Sequence, residues 1–280
     1  MLDDTLLDVR DLDVIYPGRG ARRAPFHALR KVSIQIRSGE TVGLVGESGS
    51  GKTTLGRSVL GLAPVSAGSI SFDREDISHP TANRRRELAR SIQVVFQDPY
   101  GSLNPVLLVG DTLAEPLIAQ GIGRTEARRR VSELIDQVGL PSNALSRYPR
   151  EFSGGQRQRI AIARALALRP RLIVCDEPVS ALDLTTQARI LDLFIEIQKE
   201  TGVAYLFVSH DLTVVRHVSH RVAVMFKGEI VENGTAEQVT GAPIHPYTQR
   251  LLMASPVAHP VRQRERREER RRLLAAQAGS

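Results

Sequence analysis

The sequence predicts an α/β fold: a mainly parallel sheet, preceded by an antiparallel β subdomain and interrupted by an inserted α-helical subdomain. Three observations predict it. Strand-length apolar runs alternate with helical patterns toward both ends of the chain, as a mainly parallel sheet covered on both faces requires. Residues from about 104 to 169 break that alternation and read as helix. Between an apolar run, Thr41–Val45, and a helix-compatible run, Thr54–Leu62, lies Gly46-Glu47-Ser48-Gly49-Ser50-Gly51-Lys52-Thr53, a glycine-rich loop in strand–loop–helix context.

In chain order, Leu6–Ile15 and Val32–Ile36 alternate apolar and polar residues in part, as half-buried antiparallel strands do. Pro17–Pro25, rich in Gly and Arg, is the loop between them. After the helix that follows the glycine-rich loop, Ala67-Gly68 reads as a turn and Ser69–Phe72 as a strand. Ile92–Phe96 is a short buried strand, followed by Gln97 and a turn at Asp98-Pro99-Tyr100-Gly101. Within Thr125–Val138 the residues Val131, Leu134, Ile135 and Val138 share one helical face, and Gly139 is the expected stop. Pro105, Pro116, Pro141 and Pro149 mark bends in this block.

A helix over Arg157–Leu168 leads into strands at Leu172–Cys175, Tyr205–Val208 and Val222–Phe226, with Lys227-Gly228 turning into Glu229–Val231. A helix over Thr185–Lys199 carries Ile190, Leu193, Phe194 and Ile197 on one face. No internal repeat is apparent. The expected organisation is one unit over residues 1–256, with the helical subdomain inserted at about 104–169, and an arginine-rich tail over 257–280.

The chain has 280 residues, 41% of them hydrophobic, enough for a substantial core. Its longest apolar runs are strand-sized, so no membrane span is expected, and Met1-Leu2-Asp3-Asp4 does not open like a secretory signal. The expected location is therefore cytoplasmic. One cysteine, Cys175, excludes an internal disulfide and a multi-thiolate metal site, and it reads as filler in a buried strand. The formal charge of +7 is concentrated at Arg22-Arg23, Arg84–Arg86, Arg128–Arg130 and the tail. From Arg262 to Arg272 the arginines mix with Glu265, Glu268 and Glu269. A solvated mixed-charge helix and attraction to anionic lipid or RNA both remain open there.

The glycine-rich loop has the chemistry of a nucleotide phosphate cradle. Its glycines let backbone N–H groups face anionic oxygens, and the N-terminus of the helix beginning near Lys52 adds positive potential. Lys52 is placed to reach the β and γ phosphates, and Thr53 offers a hydroxyl to Mg²⁺. Arg171–Pro178 is an apolar strand ending in Asp176 and Glu177, which delivers both acids to the carboxyl edge of the sheet. Asp176 is expected to hold Mg²⁺, directly or through water. Glu177, one residue farther, is expected to act on the attacking water as its base or orienting group. Ser153-Gly154-Gly155-Gln156 precedes a regular helix and forms a second site open to a phosphate. Since the chain already has a cradle, this second site makes sense facing another molecule's nucleotide.

From Leu6 to about Pro256 the order of these motifs resembles the ATP-binding cassette (ABC) ATPases, a branch of the P-loop NTPases. The cradle runs from Gly46 to Thr53, with Thr54 after it also expected to touch the nucleotide, Gln97 follows a strand, and Phe152-Ser153-Gly154-Gly155-Gln156 stands as the signature, with Phe152 in place of the usual leucine. Then come Asp176-Glu177, Ser180-Ala181-Leu182-Asp183 and Ser209-His210-Asp211. The resemblance implies that two cassettes pack head to tail, with ATP held between the cradle of one and the signature of the other. It implies that Ser153, Gly154 and Gly155 contact the partner's γ-phosphate, and that His210 bridges that phosphate, the water and Glu177. By the same likeness Gln97 contacts Mg²⁺ or water at the hinge to the helical subdomain, and Asp183 lies at the dimer seam. Tyr16 matches the aromatic that stacks on adenine, while a plain strand-end tyrosine remains open. His27, His217 and His220 read as structural.

His245-Pro246-Tyr247-Thr248-Gln249-Arg250-Leu251-Leu252 and Val94–Pro105 are similar to stretches of the peptide and nickel importer ATPases. That likeness implies a motor at the cytoplasmic face of the membrane: a second cassette, identical or sister, two membrane-spanning permease subunits and an extracytoplasmic solute-binding protein. No nucleic acid is expected as a partner. Many members continue into a cysteine-bearing extension, whereas here an arginine-rich tail follows, so no iron–sulfur site is expected. A soluble ABC ATPase acting on DNA or the ribosome is the alternative, but the long coiled-coil insertion or second cassette it generally needs is not present. A cassette that gates without hydrolysis is disfavoured by Glu177 and His210 together.

Overall fold

The computed structural model describes residues 4–18 and 24–254, so the arginine-rich tail and Arg22-Arg23 lie outside the described residues. Two sheets organise the chain. The smaller has the order β2-β1-β4-β5, from β1 (Thr5–Tyr16), β2 (Phe26–Arg37), β4 (Ala67–Phe72) and β5 (Glu75–Asp76), all paired antiparallel. The larger has the order β10-β9-β3-β8-β7-β6, from β3 (Thr41–Val45), β6 (Ile92–Val95), β7 (Leu172–Asp176), β8 (Ala204–Ser209), β9 (Arg221–Phe226) and β10 (Glu229–Thr235). Its pairs are parallel except β9 with β10.

The period-2 geometry of the parallel strands sorts their side chains into two cores. Leu172, Val174, Leu206 and Val208 face one side, where they meet Leu55 and Val59 of α1 (Lys52–Val59) and the inner face of the antiparallel sheet, including Leu7, Ile36 and Ile70. Ile173, Cys175, Tyr205 and Phe207 face the other, against α6 (Gly154–Leu166), α7 (Leu184–Thr201) and α8 (Leu212–Val218). Phe194 of α7 meets the rings of Tyr205 and Phe207 edge-on at 5.4 and 5.5 Å. Burial on both faces explains why these strands read as continuous apolar runs. Cys175 is fully buried, and desolvation pushes its thiol pKa up, as a structural filler requires.

The inserted block contains α4 (Val109–Ala119), α5 (Arg124–Gln137), two short 3₁₀ turns and α6. α5 buries Ala127, Val131, Leu134 and Ile135. It stops where expected: Gly139 takes φ +65, its N–H donates to Asp136 O, and the Leu140 N–H donates to Ile135 O.

Several boundaries differ from the sequence reading. Ala67-Gly68 is not a turn but opens β4, at a bulge where pairing with β1 skips between Arg10 and Asp13. The expected turn at 98–101 is wound into the short helix α3 (Pro99–Ser102) that follows β6. Pro116 lies inside α4 rather than at a bend, and its carbonyl still accepts the Gln120 N–H. α6 starts at Gly154, three residues before Arg157, because Ser153 and Gln156 close a reciprocal capping box: Ser153 N–H to Gln156 Oε1 at 3.0 Å and Gln156 N–H to Ser153 Oγ at 3.4 Å.

Candidate functional site

Parallel strands β3, β7 and β8 end together, and the loops leaving their carboxyl ends build the site. The first leaves β3 at Gly46, where an added Cβ would stand 2.2 Å from the Met225 carbonyl oxygen of neighbouring β9. Only glycine fits. Gly46→Ala is expected to cost about 2 kcal/mol of folding stability in urea denaturation, and to abolish nucleotide binding by displacing the loop.

The loop then turns into α1, with Lys52 the first helical residue. The Lys52 ammonium donates to Gly46 O at 2.7 Å and to Glu47 O at 3.0 Å, so it braces the loop from inside. Burial lowers its pKa, opposed by the charges of Glu177 and Asp176. Thr53 Oγ1 donates to Asp176 Oδ1 at 3.2 Å, joining the start of α1 to the end of β7. Burial raises the Asp176 pKa; the Thr53 hydroxyl pulls it down, while the neighbouring Glu177 carboxylate adds to the rise.

Glu177 follows β7 with φ +49, a left-handed conformation for a side-chain-bearing residue. Its N–H donates to Val208 O of β8 at 3.0 Å, which pins the carboxylate at the junction of two strands. Two side chains converge on its Oε2. His210 Nδ1 lies 2.9 Å away and the Gln97 amide donates from 3.5 Å. These three residues leave separate strands, β7, β8 and β6. Glu177, His210, Gln97, Lys52 and Thr53 line one open cavity of about 660 Å³, together with Glu47, Ser48, Gly49, Gly51 and Thr54.

Not every predicted site residue joins that cavity. Gly46 and Ser50 form the loop without lining it, and Asp176 reaches it through Thr53. Tyr16 ends β1, partly buried, paired across the ladder with Phe26. Ser153, Gly154, Gly155 and Gln156 lie at the tip of α6, and Asp183 caps α7 by accepting the Thr186 N–H at 3.0 Å. None of these five lines the cavity of its own chain. The three background histidines have structural partners: His27 with Asp13, His217 with Asp192, and His220 Nδ1 accepting the Thr41 N–H.

Sequence reasoning missed Phe26, Ala28 and Leu251 as lining residues. Phe26 sat at the edge of an expected loop and gave no signal of its own. Leu251 lay within the His-Pro-Tyr-Thr stretch, which was the available signal.

The donor set fits a nucleoside triphosphate with a divalent cation. The loop offers N–H groups and an ammonium to anionic oxygens. Thr53 and Asp176 offer hard oxygen donors, and Gln97 a third polar group nearby. Among the described residues no cluster of three His, Cys, Asp or Glu is poised for a metal, so a cation here would complete its shell with water and phosphate oxygens. Also among the described residues, no helix is long and apolar enough to cross a membrane.

Known proteins resemble this chain in sequence and in fold. Residues 29–180 match the ABC transporter family. The chain is 53% identical over 235 residues to the oligopeptide transport ATP-binding protein OppD of Mycobacterium tuberculosis, covering 84% of this chain and 38% of that protein. It is 52% identical over 241 residues to the glutathione import ATP-binding protein GsiA of Pectobacterium atrosepticum, covering 85% and 39%. The chain thus spans about two-fifths of the length of these relatives. A putative peptide import ATP-binding protein of Brucella abortus is 47% identical over 274 residues, covering 97% of this chain and 80% of that one. Among solved structures, cbiO1 from Clostridium perfringens, part of the ABC transporter complex cbiONQ, superposes with a TM-score of 0.77 at 29% identity over 86% of this chain and 92% of that one. The ATP-binding cassette MJ0796, dimeric in a post-hydrolysis state with ADP and Pi, gives 0.72 at 28% identity over 82% and 99%. With more than half of its residues matching the family and more than four-fifths aligning to relatives about half identical to it, this chain belongs to the ABC transporter family.

Proposed function

We propose that the chain is the ATP-hydrolysing subunit of an importer for peptides or related small solutes. The observation that carries hydrolysis is the convergence of His210 and Gln97 on one oxygen of Glu177, inside the cavity that Lys52 and Thr53 line. The relatives named for oligopeptide, peptide and glutathione transport support the importer class over action on DNA or the ribosome.

In this reading Lys52 leaves the carbonyls of Gly46 and Glu47 for the β and γ phosphates, and the N–H groups around Gly49, Gly51 and Thr54 hold the remaining oxygens. Thr53, Asp176 and Gln97 would hold Mg²⁺, which when bound would screen the phosphate charge. Glu177 orients a water and accepts its proton, and His210 fixes the rotamer of that carboxylate while reaching toward the γ-phosphate. Tyr16 stacks on adenine. The signature at Ser153-Gly154-Gly155-Gln156 and the Asp183 corner stand apart from the chain's own cavity, which supports their completing the site of a second cassette, identical or sister.

The cassette pair closes on ATP and reopens after hydrolysis, the work coming from different affinities of the two states for nucleotide. The motion passes to two permease subunits, with an extracytoplasmic solute-binding protein delivering cargo, and the chain sits at the cytoplasmic face of the membrane. The unit comprises residues 1–256, its helical part inserted at about 104–169, with 257–280 as a tail. The test is transport: inverted to expose the cassettes, membrane vesicles carrying the chain with a pair of peptide-importer permease subunits should hydrolyse ATP faster when binding protein and a labelled tripeptide are enclosed. Hydrolysis unaffected by the enclosed pair, with no movement of the peptide, would overturn the importer assignment.

A further inference from the structure

The His-Pro-Tyr-Thr stretch has no part in the chemistry above, yet it touches the cradle. Helix α10 (Pro246–Ala254) is anchored at its start by Glu232 of β10, whose carboxylate oxygens accept the Ile244 N–H at 2.8 Å and the His245 N–H at 3.0 Å. His245 Nδ1 then accepts the Tyr247 N–H at 3.2 Å, and Pro246, lacking an N–H, fits the first helical position between them. This entry directs Tyr247 inward, to 3% exposure, with its ring 4.2 Å from that of Phe226 at the end of β9. The phenol oxygen accepts the backbone N–H of Glu47 at 2.9 Å.

That N–H belongs to the second residue of the cradle, and the carbonyl of the same residue is held by Lys52 at 3.0 Å. Glu47 is therefore gripped from both sides. The Tyr247 grip is independent of nucleotide, whereas the Lys52 grip must be released for the ammonium to meet phosphate. Without the phenol, release of Lys52 would leave Glu47 held only by the Ser50 N–H, which donates to its carbonyl at 3.2 Å, when the remaining N–H groups have to converge on one anion. Leu251, one turn farther along α10, lines the same cavity.

We propose that Tyr247 is a positioning residue for the phosphate cradle: through the Glu47 N–H it fixes the loop in its nucleotide-ready form, and α10 is thereby part of the nucleotide site. The proposal rests on the ATP-binding reading of that site. Its effect falls on affinity rather than on the chemical step, since the phenol engages the Glu47 N–H and its ring meets Phe226, while His210 and Gln97 are what converge on Glu177.

The test is Tyr247→Phe, which keeps the ring and removes only the acceptor. The expected result is a three- to tenfold rise in the ATP dissociation constant by calorimetry and in KM for ATP, about the size of one lost hydrogen bond. Turnover at saturating ATP should stay within about twofold. A merely packing role predicts the reverse pattern, with Phe as good as Tyr. Glu232→Ala, which removes the acceptor of the Ile244 and His245 N–H groups and so loosens the helix that aims the phenol, should raise the same two constants and decides the matter if Tyr247→Phe is poorly folded. Affinity and KM equal to the parent's in the folded variant would overturn the proposal. Absence of ATP binding by the parent chain would instead overturn the ATP reading itself.

Discussion

Glu177→Gln is expected to reduce steady-state ATP hydrolysis by about 10²- to 10⁴-fold, the range in which removal of a general base falls, while ATP still binds. The substitution is nearly isosteric, so the backbone with φ +49 and the N–H bond to Val208 are kept. It removes the proton acceptor and turns one oxygen into a donor facing the Gln97 amide or His210, where the parent has an acceptor approached from both sides. Loss of the negative charge also relieves repulsion with the γ-phosphate, so affinity should hold or increase and the closed cassette pair should accumulate. Phosphate release measured with the assembled partners, together with size-exclusion chromatography in ATP, checks both halves. Hydrolysis within tenfold of the parent would remove Glu177 from the role of base.

Lys52→Ala should act at the opposite step, weakening ATP binding by about 30- to 1,000-fold, the loss typical of a desolvated charge contact to an anion. Lys52 is buried, with its ammonium held by the Gly46 and Glu47 carbonyls, and that burial lowers its pKa. Calorimetry with ATP and a thermal melt of the nucleotide-free variant separate the outcomes: affinity should collapse while the melting temperature changes little. An unchanged dissociation constant would show that the phosphates are held elsewhere.

Much of this was legible in the residues because two local signals were strong. The existence of β7 and β8 needs only their short continuous apolar runs, and the α5 face needs only the spacing of Val131, Leu134 and Ile135. Boundaries were less legible wherever a tertiary contact overrode local preference. Gly68 suggested a turn, yet pairing with β1 draws it into β4. The Asp-Pro-Tyr-Gly run suggested another, yet its position between β6 and α6 allows a short helix. Ser153 capped its helix earlier than the arginine-rich pattern indicated.

What the sequence by itself determined is the fold class and the chemical identity of the site: which residues bear the charge, hydroxyl or glycine that a phosphate demands, and which elements carry them. What only the tertiary structure decided is which of them meet. Tyr247 reaches the Glu47 N–H across 200 residues with no signal for it in the sequence, and His210 reaches Glu177 across 33, a meeting that only the family resemblance had implied. The physical reason is that periodicity and residue chemistry are encoded within a few turns of chain. Proximity at the sheet edge depends instead on strand order and parallel register, which side-chain packing on both faces selects only once the whole core has formed.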